Sequence, residues 1–149
     1  MPEKETLERA EEDKREGKAP STQAGEFVRE EIEHVREGKH GARSTKQAIA
    51  IGLSKARRAG VKLAPPKKGS KKMRKQAARD VRKGSGGSKK KSAKRSRATS
   101  GALKREGHSA ASKTALSRQA SRAAKSRSAA SRSRAAKKAA RTRKKSGGQ

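Results

Sequence analysis

Apolar residues recur at helical spacing in two stretches of the first half of the chain. In the first stretch, residues 23–37, they fall three and four positions apart along one face, and glutamates occupy the opposite face. Gly38 follows this stretch, and glycine commonly ends a helix. The pattern predicts an amphipathic helix whose apolar side consists of Ala24, Phe27, Val28, Ile32 and Val35.

The second stretch runs from Ser44 to Lys62 and is the most apolar part of a chain that is otherwise mostly charged. A side-chain oxygen of Ser44 or Thr45 can accept a hydrogen bond from the first helical turn, and Gly60 suits the left-handed residue that ends a helix. These signals predict a second amphipathic helix, with its basic residues outside the apolar face. That face consists of Ile49, Gly52, Leu53, Ala56 and Ala59.

A short loop with two glycines, residues 38–43, joins the two helices. Two amphipathic helices with a short connection form an αα-hairpin, in which Gly52 and Ala56 would permit close approach. A third short helix, with Ser70 as its cap, could form at residues 70–83. It could pack on the hairpin or form only on a nucleic acid, and we favour the second. Two helices bury little apolar surface, so a homodimer through the hairpin would add stability. We therefore predict a small all-α domain.

The composition limits how much of the chain is expected to fold. Of 149 residues only 28% are hydrophobic, Phe27 is the only aromatic residue, and the net charge is +30. Low hydrophobicity combined with high net charge is typical of disordered chains. We predict an acidic flexible arm at residues 1–22, a helical hairpin domain at 23–63, a basic segment flanked by Pro and Gly at 64–88, and a long disordered basic C-terminal tail at 89–149.

Charge is divided unevenly between the two ends of the chain. Residues 1–37 hold twelve acids against seven bases, whereas residues 38–149 hold two acids against 37 bases. A basic arm neutralises phosphates and releases counterions whatever the base sequence. We expect a histone-like, largely sequence-nonspecific nucleic-acid-binding protein that favours DNA over RNA. The candidate nucleic-acid-binding residues are Arg43, Lys46, Lys55, Arg57, Arg58, Lys71, Lys72, Arg74, Lys89, Lys90, Lys91, Lys94, Arg95, Arg118, Arg122, Lys125, Arg132, Arg134, Lys137, Lys138, Arg141 and Arg143.

Other interpretations of the same pattern stay open. The protein could be an RNA- or ribosome-associated basic protein, or a protein-interaction module whose tail only localises it. The tail could also be a solubilising segment without a dedicated ligand. The basic side of the helix at residues 44–62 could be solvated or laid along a phosphate backbone, and these two arrangements are compatible with a packed apolar side.

Catalytic motifs are lacking in the sequence. There is no Cys, which excludes disulfides and thiolate metal sites. His34, His40 and His108 lack the spacing of a zinc protease, and His40 is expected to be a solvated loop residue or a phosphate contact. We predict no enzymatic activity, no metal site and no cofactor. No apolar run is long enough to cross a bilayer and the N-terminus is acidic, so we expect the cytoplasm, in association with the nucleoid.

The stretch Lys46–Gly60 reads Lys-Gln-Ala-Ile-Ala-Ile-Gly-Leu-Ser-Lys-Ala-Arg-Arg-Ala-Gly. Over residues 26–63 the sequence resembles a family of small basic bacterial proteins of unknown function that share this motif. The resemblance implies a bacterial origin and a small helical domain, and it implies no activity. Separately, the C-terminal region resembles in composition the basic arms of linker histones and of bacterial histone-like proteins, although it contains no Pro.

Overall fold

The computed structural model describes residues 1–86 and 90–147. This part of the chain contains seven α-helices and one 3₁₀ turn, at Ser109–Ala111, and it has no strand. The chain divides into two compact units, residues 1–112 and residues 113–149. The helices are α1 (Lys4–Arg15), α2 (Pro20–Arg36), α3 (Thr45–Arg58), α4 (Lys71–Ser85), α5 (Ala93–Lys104), α6 (Lys113–Lys125) and α7 (Ala129–Ser146).

The prediction of a hairpin followed by a long disordered tail is wrong. The predicted tail contains α5, the 3₁₀ turn, α6 and α7. Alanine, the best helix former, recurs through this region, and Ser92 and Ser128 cap α5 and α7 by accepting hydrogen bonds from backbone N–H groups. High local helix propensity and regular caps therefore produce helices where the low hydrophobicity and high charge predicted disorder.

The core of the first unit lies where α2 and α3 pack against each other. Helix α1 packs on α2, and α4 packs on α3. The third helix thus has the packed arrangement and not the favoured one, in which it forms only on a nucleic acid. The capping oxygen of Ser44 accepts a hydrogen bond from the backbone N–H of Gln47 at the start of α3, and Gly60 follows its end with a φ of +99°. The buried cluster consists of Ala10, Ala24, Phe27, Ala56 and Val61, with Leu53 and Leu63 packed against it.

Close approach of α2 and α3 depends on Gly52. A Cβ atom at this position would lie 2.6 Å from the Cα of Val28 and 3.0 Å from the backbone oxygen of Phe27. These are backbone atoms, which cannot move without shifting the helix. Gly52 therefore sets the separation of the two helices, and Phe27 is left only 1% exposed.

Most of residues 1–22 are helical in place of the predicted flexible arm, in α1 and in the first residues of α2. Helix α1 buries Thr6, Ala10 and Asp13. Pro20 stands at the start of α2, where its missing N–H costs nothing and its fixed φ favours the helix. Helix α2 consequently begins three residues before the predicted boundary, and α1 covers part of the apolar side that α2 presents.

The segment after α5 closes the loop between α2 and α3. The backbone N–H groups of Gly41 and Ala42 donate to the carbonyl oxygens of Leu103 and Gly107, at 2.9 and 3.0 Å. The hydroxyl of Thr45 donates to the carbonyl oxygen of Ala110 over 2.6 Å. These bonds satisfy backbone groups of a buried loop and, within the first unit, hold residues 103–110 against the connection between α2 and α3.

The second unit has little buried surface. In α6 no residue is buried, although Leu116 and Gln119 are half-buried. In α7 the described side chains are exposed apart from the half-buried Ser131. Among the described residues, no helix is long and apolar enough to span a membrane.

Candidate functional sites

Three of the predicted phosphate-binding residues on α3 are committed to contacts inside the protein. The ammonium of Lys55 lies 2.6 Å from Oε2 of Glu31 and 3.6 Å from Oε1 of Glu30, both on α2. Both carboxylates are almost completely buried. Lys55 is therefore the cation that neutralises two interior acids, and its charge is not available to a nucleic acid.

Arg57 and Arg58 hold the connection to α4. Arg57 is buried, and its guanidinium donates to the carbonyl oxygens of Leu63 and Ala64 at 3.2 and 3.4 Å. Burial lowers the pKa of Arg57, and the nearby Asp80 opposes this shift. Arg58 donates from Nε to Oδ1 of Asp80 over 2.8 Å. The basic side of α3 thus serves mainly to assemble the fold.

Helix α4 is sharply divided between a packed side and a basic side. Ala77 and Asp80 are buried against α3, and Asp80 also accepts hydrogen bonds from Ser54 and Gln76. Burial alone would raise the pKa of Asp80, but these bonds and Arg58 outweigh it and lower that pKa. Helical geometry places six exposed bases away from the packed side: Lys71, Lys72, Lys75, Arg79, Arg82 and Lys83.

Four of these six residues were not among the sequence candidates, namely Lys75, Arg79, Arg82 and Lys83. The sequence contains a signal for them, because Met73, Ala77 and Val81 fall on one helical stripe and all four bases lie off it. Arg74, which was a candidate, is exposed near the edge of the packed side. The outer face of α4 therefore carries six exposed cations, none of which forms an ion pair with a carboxylate of the described residues.

The remaining candidates of the first unit lie at the surface. The side chain of Arg43 is 81% exposed, with Nη2 3.6 Å from Oε1 of Glu106, and Lys46 is exposed on the first turn of α3. Near the start of α5 four exposed bases occur close together, and one more, Lys89, lies outside the described residues. The four are Lys90, Lys91, Lys94 and Arg95.

The second unit carries thirteen bases and no acid. On α6, Arg118, Arg122 and Lys125 share one exposed face at intervals of four and three residues. On α7, four candidates line one shallow depression, while Arg132 and Arg143 lie on the other side of the helix. The four are Arg134, Lys137, Lys138 and Arg141.

A cluster of histidine and glutamate side chains joins α2 to the loop that follows it. One potential metal-ligand atom from each of Glu31, His34 and His40 lies within 4.8 Å of the other two. Oε1 of Glu31 is 3.0 Å from Nε2 of His40. His40 was expected to be solvated or bound to phosphate, yet its side chain is only 16% exposed and it faces a buried carboxylate.

Comparison with known proteins gives one match. Residues 16–68 match a family described as a family of unknown function (DUF6496). The matched region contains α2, α3 and the histidine–glutamate cluster, and it includes the stretch Lys46–Gly60. No curated protein and no solved structure matches the chain. The match agrees with the expectation of a family of unknown function over residues 16–68, and it shows neither the shared motif nor a bacterial origin.

Proposed function

We propose that this protein is a non-enzymatic, histone-like protein that binds nucleic acid by neutralising phosphates with the exposed Lys and Arg residues of α4 to α7. The observation that supports this proposal is the distribution of ion pairs. In the described part of the chain, no Lys or Arg beyond Arg58 forms an ion pair with a carboxylate. The cations of the second half are thus exposed and available to an external polyanion.

The acids are arranged so that they do not neutralise these cations. Beyond residue 37 the only two are Asp80 and Glu106. Asp80 is 1% exposed and engaged by Arg58, and Glu106 faces Arg43. Among the described residues, acids of the first 37 positions pair with bases no further along the chain than Lys55. A negative strand approaching the outer face of α4 therefore meets unpaired cations, and the second unit itself contributes cations and no acid.

The binding we propose depends on charge and has little preference for base sequence. The bases on α4, α6 and α7 are spaced along helical faces, so that several of them can contact successive phosphates. Each phosphate that they neutralise releases counterions from the nucleic acid. The only aromatic residue, Phe27, is 1% exposed in the core of α2 and α3, so it does not offer a stacking platform for unpaired bases. This supports backbone recognition of a duplex.

The proposal extends to partner and location. We favour DNA over RNA and place the protein on the nucleoid in the cytoplasm of a bacterial cell, in line with the motif at Lys46–Gly60. A homodimer through the hairpin stays a prediction. The apolar faces of α2 and α3, which were expected to form the dimer contact, pack against each other within one chain, since Phe27 and Ala56 are buried there.

The test is equilibrium binding of the tag-free full chain to a labelled DNA duplex and to an RNA duplex of the same length, across a salt series. We expect log K to fall linearly with log salt with a slope of about −0.9 for each phosphate neutralised. Unlabelled DNA of unrelated sequence should compete equally well. Tighter binding to the RNA duplex at equal salt, or a salt-independent affinity, would overturn the proposal as stated.

A further inference from the structure

Two buried carboxylates at the junction of α2 and α3 are matched by too little positive charge. Glu31 is completely buried and Glu30 is 2% exposed, and the ammonium of Lys55 is shared between them. Among the described residues, Oε2 of Glu31 is held by Lys55 alone, Oε1 of Glu31 faces only the ring nitrogen of His40, and Oε1 of Glu30 has no hydrogen-bond donor. A carboxylate is buried at little cost only when cations and donors satisfy its oxygens. The cluster therefore has room for a further cation.

The same cluster presents nitrogen ligands beside these oxygens. Nδ1 of His40 lies 3.0 Å from the carbonyl oxygen of Gly41, and a carbonyl can only accept, so Nδ1 carries a proton. In the neutral imidazole Nε2 then carries the lone pair, so Nε2 and Oε1 of Glu31 are two acceptors 3.0 Å apart, a contact that a shared cation would relieve. A histidine fixed through Nδ1–H by a carbonyl, with Nε2 turned to the site, is the usual arrangement of a metal ligand.

We propose that Glu31, His34 and His40 bind a divalent transition metal of the zinc class. Zinc takes His nitrogens and carboxylate oxygens at about 2.0–2.2 Å, so two atoms on one ion lie within about 4.4 Å of each other. The three ligand atoms already lie within 4.8 Å, and small side-chain movements close the remaining difference. Imidazole combined with carboxylate favours zinc over calcium or magnesium, which prefer oxygen alone.

The neighbouring residues fit this assignment. Lys55 holds Oε2 of Glu31 at 2.6 Å, which leaves Oε1 for the metal and orients the carboxylate. Glu3 offers the nearest candidate for a fourth ligand, since its Oε1 lies 2.9 Å from Nε2 of His34. The cation would join α2, the following loop and the start of α1, and all three proposed ligands lie within the family match.

The test uses the tag-free full chain after treatment with a chelator. Isothermal titration with Zn²⁺ should give one ion per chain, and the thermal unfolding midpoint measured by circular dichroism should rise with added zinc. Co²⁺ should give the intense visible absorption of a four-coordinate site. The His34→Ala/His40→Ala variant should weaken zinc binding at least about 100-fold and lose the zinc-dependent shift.

The chain supplies a matched control, because His108 is exposed and lies outside the cluster. His108→Ala should retain one zinc and the full thermal shift. If the double variant does not fold, His40→Gln in the loop takes its place, with the same expected loss. The proposal is overturned if the wild-type chain gains no stability from zinc and shows no Co²⁺ spectrum. It is equally overturned if the cluster variant binds zinc as the wild type does.

Discussion

Nε of Arg58 on α3 donates a hydrogen bond to Oδ1 of Asp80 on α4 over 2.8 Å, in a chain where Asp80 is one of only two acids beyond residue 37. Asp80 also accepts from Ser54 and Gln76, so it forms the polar centre of the contact between the two helices. An acid within a strongly basic helix thus has a structural role, because it fixes α4 to α3 and leaves the opposite side of α4 exposed.

Replacing Asp80 with Ala should destabilise the protein by about 2–3 kcal/mol, because Ser54 and Arg58 lose a charged hydrogen-bond partner at a buried position. Arg58 is half exposed and recovers some hydration, which keeps the loss below that of a fully buried pair. The measurement is urea unfolding followed by circular dichroism. Glu12→Gln, an exposed acid on α1, is the control and should change stability by less than about 0.5 kcal/mol. Equal effects of the two substitutions would refute the role given to Asp80.

The contribution of Asp80 to the stability of the protein should be lost in acid. The pKa of Asp80 is lowered from its ordinary value of 3.8, so its stabilising effect is complete above that value and disappears as the pH falls through the lower, folded-state pKa. Asp80→Asn should therefore be less stable than the wild type at about pH 7, and the difference should shrink at about pH 3. Glu3, whose pKa is lowered by His34 and Lys39, is present in both proteins and cancels. A difference that stays constant with pH would contradict this account.

Lys55 and Lys46 lie on the same helix, but Lys55 contacts a buried carboxylate whereas Lys46 is exposed to solvent. Lys55→Met should cost about 3 kcal/mol or more, because it leaves the buried carboxylate of Glu31 without its ammonium partner. Lys46→Met, at an exposed position, should change stability by less than about 0.5 kcal/mol. Chemical unfolding of both variants measures the contrast. Two small and equal changes would mean that the charge of Lys55 is not needed inside the protein.

Two helical glycines give a second matched pair. A Cβ atom at Gly52 would lie 2.6 Å from the Cα of Val28, whereas one at Gly25 would meet nothing within 4 Å. Gly52→Ala should destabilise by about 1–3 kcal/mol, because α2 and α3 must separate. Gly25→Ala should be neutral or stabilise by up to about 1 kcal/mol, because alanine favours the helix. The measurement is the thermal unfolding midpoint of both variants. A Gly52→Ala protein as stable as the wild type would contradict the close packing of α2 on α3.

Local signals in the sequence were enough to predict the second helix. Ser44 caps α3 and Gly60 follows its end, because both act through the backbone of their own turn. The sequence did not predict which acidic residues the basic side chains of this helix would contact. Helical periodicity places Lys55 and Arg58 off the apolar face, but their partners, Glu31 and Asp80, are distant in the chain. A tertiary ion pair of this kind leaves no periodic pattern.

The helices of the C-terminal region and the histidine cluster were missed for different reasons. In α7 the low hydrophobicity was given more weight than the helix propensity of alanine and the cap at Ser128. For the histidines, the zinc-protease pattern requires two His residues four positions apart, whereas this cluster contains Glu31 and His34, which lie one helical turn apart. His40 joins them only because the loop folds back over α2.

The most direct test of phosphate binding by the exposed second-half cations compares two variants with the same net charge. One replaces Lys72, Lys75 and Arg79 on the outer face of α4 with Gln, and the other replaces Lys4, Lys14 and Arg15 on α1, which are also exposed. Binding to duplex DNA is measured across a salt series. We expect the α4 variant to bind more weakly and to lose about 0.9 of slope for each phosphate contact removed, and the α1 variant to match the wild type. Equal slopes and affinities for the two variants would contradict the account, because binding would then follow total charge and not its placement.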